Sequence, residues 1–124
     1  KGADFISEEG KTIPNHLLTT DPDKTISYAY CSDTAYCEEI VPIISKVDLL
    51  YHEATFANAE VLRAQKTMHS TAEQAANIAR LAEVKQLVIG HLSARYKNQD
   101  AVLKEAQAVF KDTTLARDGQ VIEF

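Results

Sequence analysis

The stretch that decides the fold is Leu87-Val88-Ile89-Gly90-His91-Leu92-Ser93-Ala94-Arg95-Tyr96. Its apolar run, residues 87–89, is short, unbroken and rich in β-branched side chains, which is typical of a strand buried on both faces. Gly90 allows the backbone to turn or to approach a neighbour closely, so His91 is expected at the carboxyl end of the strand. In open α/β sheets, ligands bind at that edge.

Two upstream segments repeat this order of an apolar strand followed by polar residues. The first predicted strand, residues 26–31, is followed by Asp33, and the second, residues 47–51, is followed by His52 and Glu53. If the strands run parallel, these side chains and the histidine of the deciding stretch meet at one edge of one sheet. Because successive strand residues point to opposite faces, at most one of His52 and Glu53 can face that site.

The remaining segments indicate helices between the strands. Ser70 with Glu73, and Thr71 with Gln74, both fit the spacing of a capping box, and small residues at helical spacing follow. In the first part of the chain we predict strand fragments and turns over 1–25 and a helix over about 36–46 that becomes regular near Pro42. Residues 56–68 are predicted to form a loop or short helix that is a candidate lid, and residues 70–83 a helix. A last helix begins at Asp100, and two short strands over 113–116 and 120–124 are joined by a turn at Asp118-Gly119.

Size and charge limit what the chain can be. Its 124 residues suit one domain, and 45% hydrophobic residues favour a folded chain over a disordered one. The net charge of −5 gives no general basic surface. Contact with nucleic acid would therefore come from local clusters, such as Arg63 with Lys66 or Arg95 with Lys97.

The chain has no recognisable export or membrane signal. Cys31 and Cys37 are too few for a disulfide framework and do not form a C-x-x-C motif. No apolar run approaches the roughly 20 residues of a membrane span, and there is no signal-peptide pattern. We therefore expect no membrane association and a cytoplasmic location. The chain opens with Lys1-Gly2 and no methionine, which favours a piece of a longer protein.

Each polar residue at the strand ends also has an ordinary structural explanation. Asp33 suits a helix N-cap, His91 a buried histidine bonded to backbone, Glu53 an ion pair, and His69 a brace for its loop. These ordinary roles do not explain, however, why acidic and imidazole groups follow three separate strands. Carboxylate with imidazole suits zinc. Since a catalytic zinc takes three protein ligands and a two-metal site needs more, this chain does not complete a site alone.

Four motifs resemble ribonuclease Z, the family of tRNA 3′-processing endonucleases within the metallo-β-lactamase superfamily. They are Cys31-Ser32-Asp33-Thr34, Tyr51-His52-Glu53-Ala54-Thr55-Phe56, Met68-His69-Ser70-Thr71, and Gly90-His91-Leu92-Ser93-Ala94-Arg95-Tyr96. The resemblance implies an α/β fold, with residues 1–124 as a single-domain fragment that forms the C-terminal half of an αβ/βα sandwich. The family's His-x-His-x-Asp-His motif and its tRNA-binding arm are absent.

The same resemblance implies a role for each motif. Asp33 would bridge two zinc ions, and His91 would be the last histidine ligand of the second. His69 would give a proton to the leaving 3′ oxygen and would be oriented by Glu53. Oxygen atoms of the phosphate would be held by Ser93 and Arg95, with Ser70 and Thr71 as further contacts; an arginine presents two parallel donors to a phosphate.

The resemblance predicts that the parent protein is a zinc-dependent endonuclease, homodimeric, that removes the 3′ trailer of precursor tRNA. The fragment alone is expected to be inactive and to bind zinc weakly or not at all. Two alternatives stay open. One is another hydrolase of the superfamily, such as a phosphodiesterase or an arylsulfatase. The other is a binding or dimerisation module without catalysis.

Overall fold

The computed structural model describes residues 2–123 and contains a four-stranded parallel sheet with helices packed on it. The described strands are β1 (Phe5–Ile6), β2 (Thr12–Ile13), β3 (Tyr28–Cys31), β4 (Leu49–Glu53), β5 (Gln86–Gly90) and β6 (Thr113–Leu115). The helices are α1 (Val61–Thr67), α2 (Ala72–Leu81) and α3 (Gln99–Val109), with short 3₁₀ segments at Asn15–Leu17, Glu38–Ile40 and Asn58–Glu60. None of the described helices is long and apolar enough to cross a membrane.

The main sheet has the strand order β3-β4-β5-β6, and every neighbouring pair is parallel. The three predicted strands that end in polar residues are therefore adjacent. In this register Cys31 lies beside His52, and Glu53 lies beside Gly90. His52 and Glu53 are the last residues of β4 instead of following it, and the polar residues at the ends of the three strands come to one edge of the sheet, as the sequence predicted. β1 and β2 form a separate antiparallel pair.

Helices α2 and α3 cover one face of the sheet. The core contains Leu50, Leu87 and Ile89, which are completely buried. Small side chains let α2 lie close to this layer: the predicted inward residues Ala72, Ala75, Ala76, Ala79 and Ala82 are all buried.

The start of α2 is a capping box, as predicted. Thr71 Oγ1 accepts a hydrogen bond from the Gln74 amide at 3.2 Å, and Gln74 Oε1 accepts one from the Thr71 amide at 2.9 Å. Of the two spacings that the sequence offered, the structure uses the one with Thr71 as the cap. This choice fixes where the loop that carries His69 and Ser70 joins the helix.

The opposite face of the sheet carries tyrosines. Tyr30 and Tyr51 lie side by side on β3 and β4, and their rings stack with centroids 4.6 Å apart. Tyr28 lies on the same face, and Tyr28 and Tyr30 are 53% and 62% exposed. An aromatic surface is thus open to solvent beside the core.

Two predictions of local structure are wrong. The predicted helix over 36–46 is only the 3₁₀ turn Glu38–Ile40 followed by turns, because Lys46 has a left-handed φ of 61° and its amide donates to Ala82 O at 2.7 Å instead of closing a helical turn. Residues 120–123 form no strand; Gln120 closes a local turn on Arg117 through hydrogen bonds of 3.0 and 3.1 Å. Residue 124 of that predicted strand lies outside the described residues. The segment 56–68 forms a short helix, α1.

We expect Gly90→Ala to destabilise the fold. A Cβ atom at this position would lie 2.8 Å from Cε2 of Tyr51, closer than packed atoms tolerate. Overpacking of this kind costs about 1–2 kcal/mol in the free energy of unfolding, measurable by urea denaturation. In a Tyr51→Ala background the same substitution should cost much less. Equal costs in the two backgrounds would show that the contact with Tyr51 is not the cause.

We expect Asp48→Asn to lower the melting temperature at pH 7. Asp48, just before β4, pairs with Lys85 and accepts bonds of 2.8 Å from the Ser27 amide and hydroxyl. These contacts, the Lys85 bond foremost, hold the pKa of Asp48 well below its usual range. The pKa is lower in the folded state, so the stabilisation is complete above the unfolded pKa of about 3.9 and fades as the pH falls below it. The melting temperatures of the variant and the wild type should therefore converge in acid. The control variant Glu83→Gln should melt at the wild-type temperature at both neutral and acid pH.

Candidate active site

The candidate site lies where β3, β4 and β5 end. Asp33 and His91 both have left-handed backbones, with φ of 49° and 59°. Residues other than glycine rarely adopt this region, and where they do they often belong to functional sites. The turns let each side chain leave its strand at the sheet edge instead of continuing the ladder.

Three side chains meet at this edge with atoms suited to a metal ion. Asp33, His69 and His91 each offer one carboxylate or imidazole atom, and these atoms all lie within 4.8 Å of one another. His91 Nε2 is 3.5 Å from Asp33 Oδ1. Asp33 and His91 are exposed and His69 is partly buried. The structure therefore brings together the two predicted metal ligands and the predicted proton donor.

Glu53 is the buried centre of the site. Its side chain is fully buried and accepts five hydrogen bonds. The donors are the amides of Thr34, Thr55 and Ser70, the Thr55 hydroxyl, and His69 Nδ1. Burial alone would raise the pKa of Glu53, but the hydrogen bonds, led by those from Thr55 and His69, lower it below its ordinary value. The carboxylate thus stays charged in a buried place.

His69 is held by this carboxylate. Its Nδ1 lies 2.7 Å from Glu53 Oε1, and its own amide bonds to Ala64 O of α1 at 2.9 Å. The Phe56 ring packs at its edge, with centroids 6.2 Å apart. A histidine with one nitrogen fixed by a carboxylate can transfer a proton from the other. The predicted pair of His69 and Glu53 is therefore formed.

His52 does not join the cluster. It lies buried beside the core, where its Nδ1 is 2.7 Å from the Glu53 carbonyl oxygen and its Nε2 has no partner among the described residues. Burial lowers its pKa, so the ring stays neutral. Of the two neighbours at this strand end, only Glu53 takes part in the site.

The residues predicted to bind phosphate fall into two groups. Arg95 donates to Ser93 Oγ at 2.9 Å and to Glu60 Oε2 at 3.3 Å, with its guanidinium 5.4 Å from the centre of the Phe56 ring. These groups lie at the surface near His69. Ser70 is buried and donates to Thr34 O at 2.7 Å, and the Thr71 hydroxyl caps α2. Their hydroxyl groups are engaged within the protein.

Sequence reasoning gave no role to Thr55, Phe56 or Glu60, all of which contact site residues. Thr55 is buried and its hydroxyl lies 2.9 Å from His91 Nδ1. The available signal was its place two residues after Glu53. A residue that follows a buried acid so closely is well placed to donate back to it.

Comparison with known proteins supports the family suggested by the motifs. No family model matches the chain. Its sequence is 57% identical over 121 residues to ribonuclease Z of Bacteroides thetaiotaomicron and 52% identical over 123 residues to that of Porphyromonas gingivalis. The chain is homologous to ribonuclease Z. These matches cover 98% and 99% of the chain but only 38% and 40% of the relatives, so the chain spans about two fifths of their length.

Two solved structures agree with the predicted fold of this ribonuclease Z homologue. The metallo-β-lactamase fold protein YhfI from Bacillus subtilis matches 80% of the chain with a TM-score of 0.72 and 26% identity, over 40% of its own length. The short form of human tRNase Z matches 67% of the chain with a TM-score of 0.54 and 36% identity, over 27% of its own length. The α/β fold and its relation to the metallo-β-lactamase fold are confirmed.

We expect Glu53→Gln to destabilise the protein by about 3 kcal/mol, the scale of losing a buried charged partner. The amide group would place a donor against donors that now point at the carboxylate. Chemical denaturation at pH 7 measures the change. Glu83→Gln, at an exposed ion pair of 3.7 Å with Lys46, serves as the matched control and should change stability by less than about 0.5 kcal/mol. Equal effects of the two substitutions would argue against Glu53 as the buried centre.

Proposed function

We propose that this chain is the C-terminal part of a zinc-dependent endoribonuclease that removes the 3′ trailer from precursor tRNA. The observation that carries the proposal is the cluster of Asp33, His69 and His91 within 4.8 Å, with His69 bonded to the buried Glu53. The cluster is built from the motifs that suggested ribonuclease Z, and relatives of that name are 48–57% identical to the chain.

The donor chemistry of the cluster fits zinc. In the proposal Asp33 and His91 hold the metal, since carboxylate oxygen and imidazole nitrogen are common zinc ligands. When bound, zinc supplies an activated water and neutralises charge that develops on the phosphate. Because a catalytic zinc takes three protein ligands and a two-metal site needs more, the remaining ligands for two ions would come from outside residues 1–124.

His69 acts as the proton donor in this proposal. Its ring is fixed at Nδ1 by Glu53, so a proton on the other ring nitrogen would be available to the departing 3′ oxygen. Glu53 is a positioning residue: its hydrogen bond to Nδ1 sets the orientation of the ring. The substrate RNA would be left with a 3′-hydroxyl.

Ser93 and Arg95 are the proposed phosphate contacts. Both carry donors at the surface of the site, and the guanidinium plane matches two phosphate oxygens. Ser70 and Thr71 stay in the proposal as secondary contacts, because their hydroxyl groups would first have to leave their present partners. By analogy with the family we also propose precursor tRNA as the partner, a homodimeric parent and a cytoplasmic location.

A second candidate is a superfamily hydrolase that acts on smaller esters, a phosphodiesterase or an arylsulfatase. The chain matches both the metallo-β-lactamase fold protein YhfI, with a TM-score of 0.72, and human tRNase Z, with a TM-score of 0.54, so the fold alone does not separate the two candidates. Precursor tRNA and bis-p-nitrophenyl phosphate, assayed side by side on the native polypeptide that contains this chain, separate the two. Hydrolysis of the small ester without cleavage of the RNA would favour the second candidate.

In the same native polypeptide, we expect His69→Ala to slow cleavage of precursor tRNA by about 10²- to 10⁴-fold, the usual contribution of a general acid. Zinc content and the Kd for precursor tRNA should change little, because His69 is proposed to act on the leaving oxygen. Single-turnover cleavage, metal analysis and filter binding measure the three quantities. His16→Ala, in the exposed 3₁₀ turn Asn15–Leu17, is the matched control. Wild-type cleavage by His69→Ala would overturn this role.

A further inference from the structure

The Thr55 hydroxyl connects the buried carboxylate to an imidazole of the proposed metal site. Its oxygen lies 2.7 Å from Glu53 Oε2 and 2.9 Å from His91 Nδ1. Thr55 is only 7% exposed, so water does not compete freely for these bonds. Among the described side chains, Thr55 is thus the one that lies within hydrogen-bond distance of both Glu53 and His91.

The direction of these two bonds follows from their partners. A hydroxyl has one proton, and a carboxylate can only accept, so the Thr55 proton points to Glu53. The lone pairs of Thr55 Oγ1 then face His91, and they can accept a hydrogen bond only if Nδ1 of that ring carries a proton. His69 Nδ1 is a weaker neighbour of Thr55, at 3.4 Å against 2.7 Å to Glu53.

A neutral imidazole carries one proton, so a proton on Nδ1 leaves a lone pair on Nε2. His91 Nε2 lies 3.5 Å from Asp33 Oδ1, which is also an electron-pair donor. Two such atoms facing each other are stabilised by a shared cation. We propose that Thr55 is a positioning residue that fixes the Nδ1-protonated tautomer of His91, so that Nε2 presents its lone pair to a metal ion beside Asp33.

The backbone holds Thr55 firmly enough for this role. Its amide donates to Glu53 Oε2 at 3.1 Å, and its carbonyl oxygen accepts from the Ser93 amide at 3.0 Å. The preceding amide, that of Ala54, donates to Gly90 O at 2.9 Å. The hydroxyl is thus fixed between the ends of β4 and β5. Such partners behind a metal ligand set ring orientation and ligand basicity.

The inference rests on the proposed metal site. Two measurements distinguish a failure of the inference from a failure of the metal site. We expect Thr55→Val, in the native polypeptide, to weaken Zn²⁺ binding by about 10- to 100-fold in competition with a chromogenic chelator, the usual effect of losing such a partner. Thr55→Ser keeps the hydroxyl and should bind Zn²⁺ as the wild type does. Thr114→Val is the matched control, because the Thr114 hydroxyl has no hydrogen-bond partner in the described part of the chain.

The second measurement is the tautomer of His91 in metal-free protein, from the ¹⁵N chemical shifts of its ring. The wild type and Thr55→Ser should show the Nδ1–H form, and Thr55→Val should show a mixture of forms. An Nε2–H form in the wild type, or unchanged zinc affinity in Thr55→Val, would overturn the inference. A wild type that binds no Zn²⁺ but shows the Nδ1–H form would refute the proposed metal site while supporting the role of Thr55.

Discussion

The site depends on one buried carboxylate. Glu53 accepts hydrogen bonds from Thr34 after β3, Thr55 after β4 and Ser70 before α2. One charge thus connects three separate loops. An unpaired buried charge would cost several kcal/mol of folding free energy. The loop arrangement that supplies all of the donors to Glu53 is therefore strongly favoured over others. The loops can therefore adopt few other arrangements. The position of the His69 ring follows from its hydrogen bond to Glu53.

The parallel register of the sheet is what brings these loops together. Parallel strands end at the same edge, and α2 and the segment before it cross from β4 to β5 within reach of that edge. The small residues of α2 allow the helix to pack close to the sheet, which sets how near His69 comes to His91; their ring centroids are 5.3 Å apart. The packing of α2 outside the site thus affects the distance between the two imidazole rings within it.

Much of this arrangement was predictable from the sequence, because buried strands and the alanine-rich helix leave strong local patterns. Apolar runs located β4 and β5, and the spacing of Thr71 and Gln74 located the start of α2. The predicted helix over 36–46 is wrong because the apolar spacing does not show that the Lys46 amide bonds to Ala82 O, far along the chain, instead of closing a helical turn.

Side-chain partners were the harder part of the site to predict. Spacing placed Asp33, Glu53 and His91 at one edge, and the motif resemblance added His69. Neither could show that the Ser70 hydroxyl would turn to Thr34 O, or that Thr55 would reach both Glu53 and His91. Such choices depend on three-dimensional distances between segments far apart in the chain, and no local pattern records them.

The tyrosine face gives the molecule an optical signal of its own. The chain has five tyrosines and no tryptophan, and three of the tyrosines lie on that face. Two of them are more than half exposed, while Tyr30 and Tyr51 stack on each other. Phenol absorption and emission respond to solvent and to ring stacking. A molecule that binds to this face therefore changes the near-ultraviolet spectrum of the protein. Its binding can be followed by tyrosine absorption or emission without an attached dye.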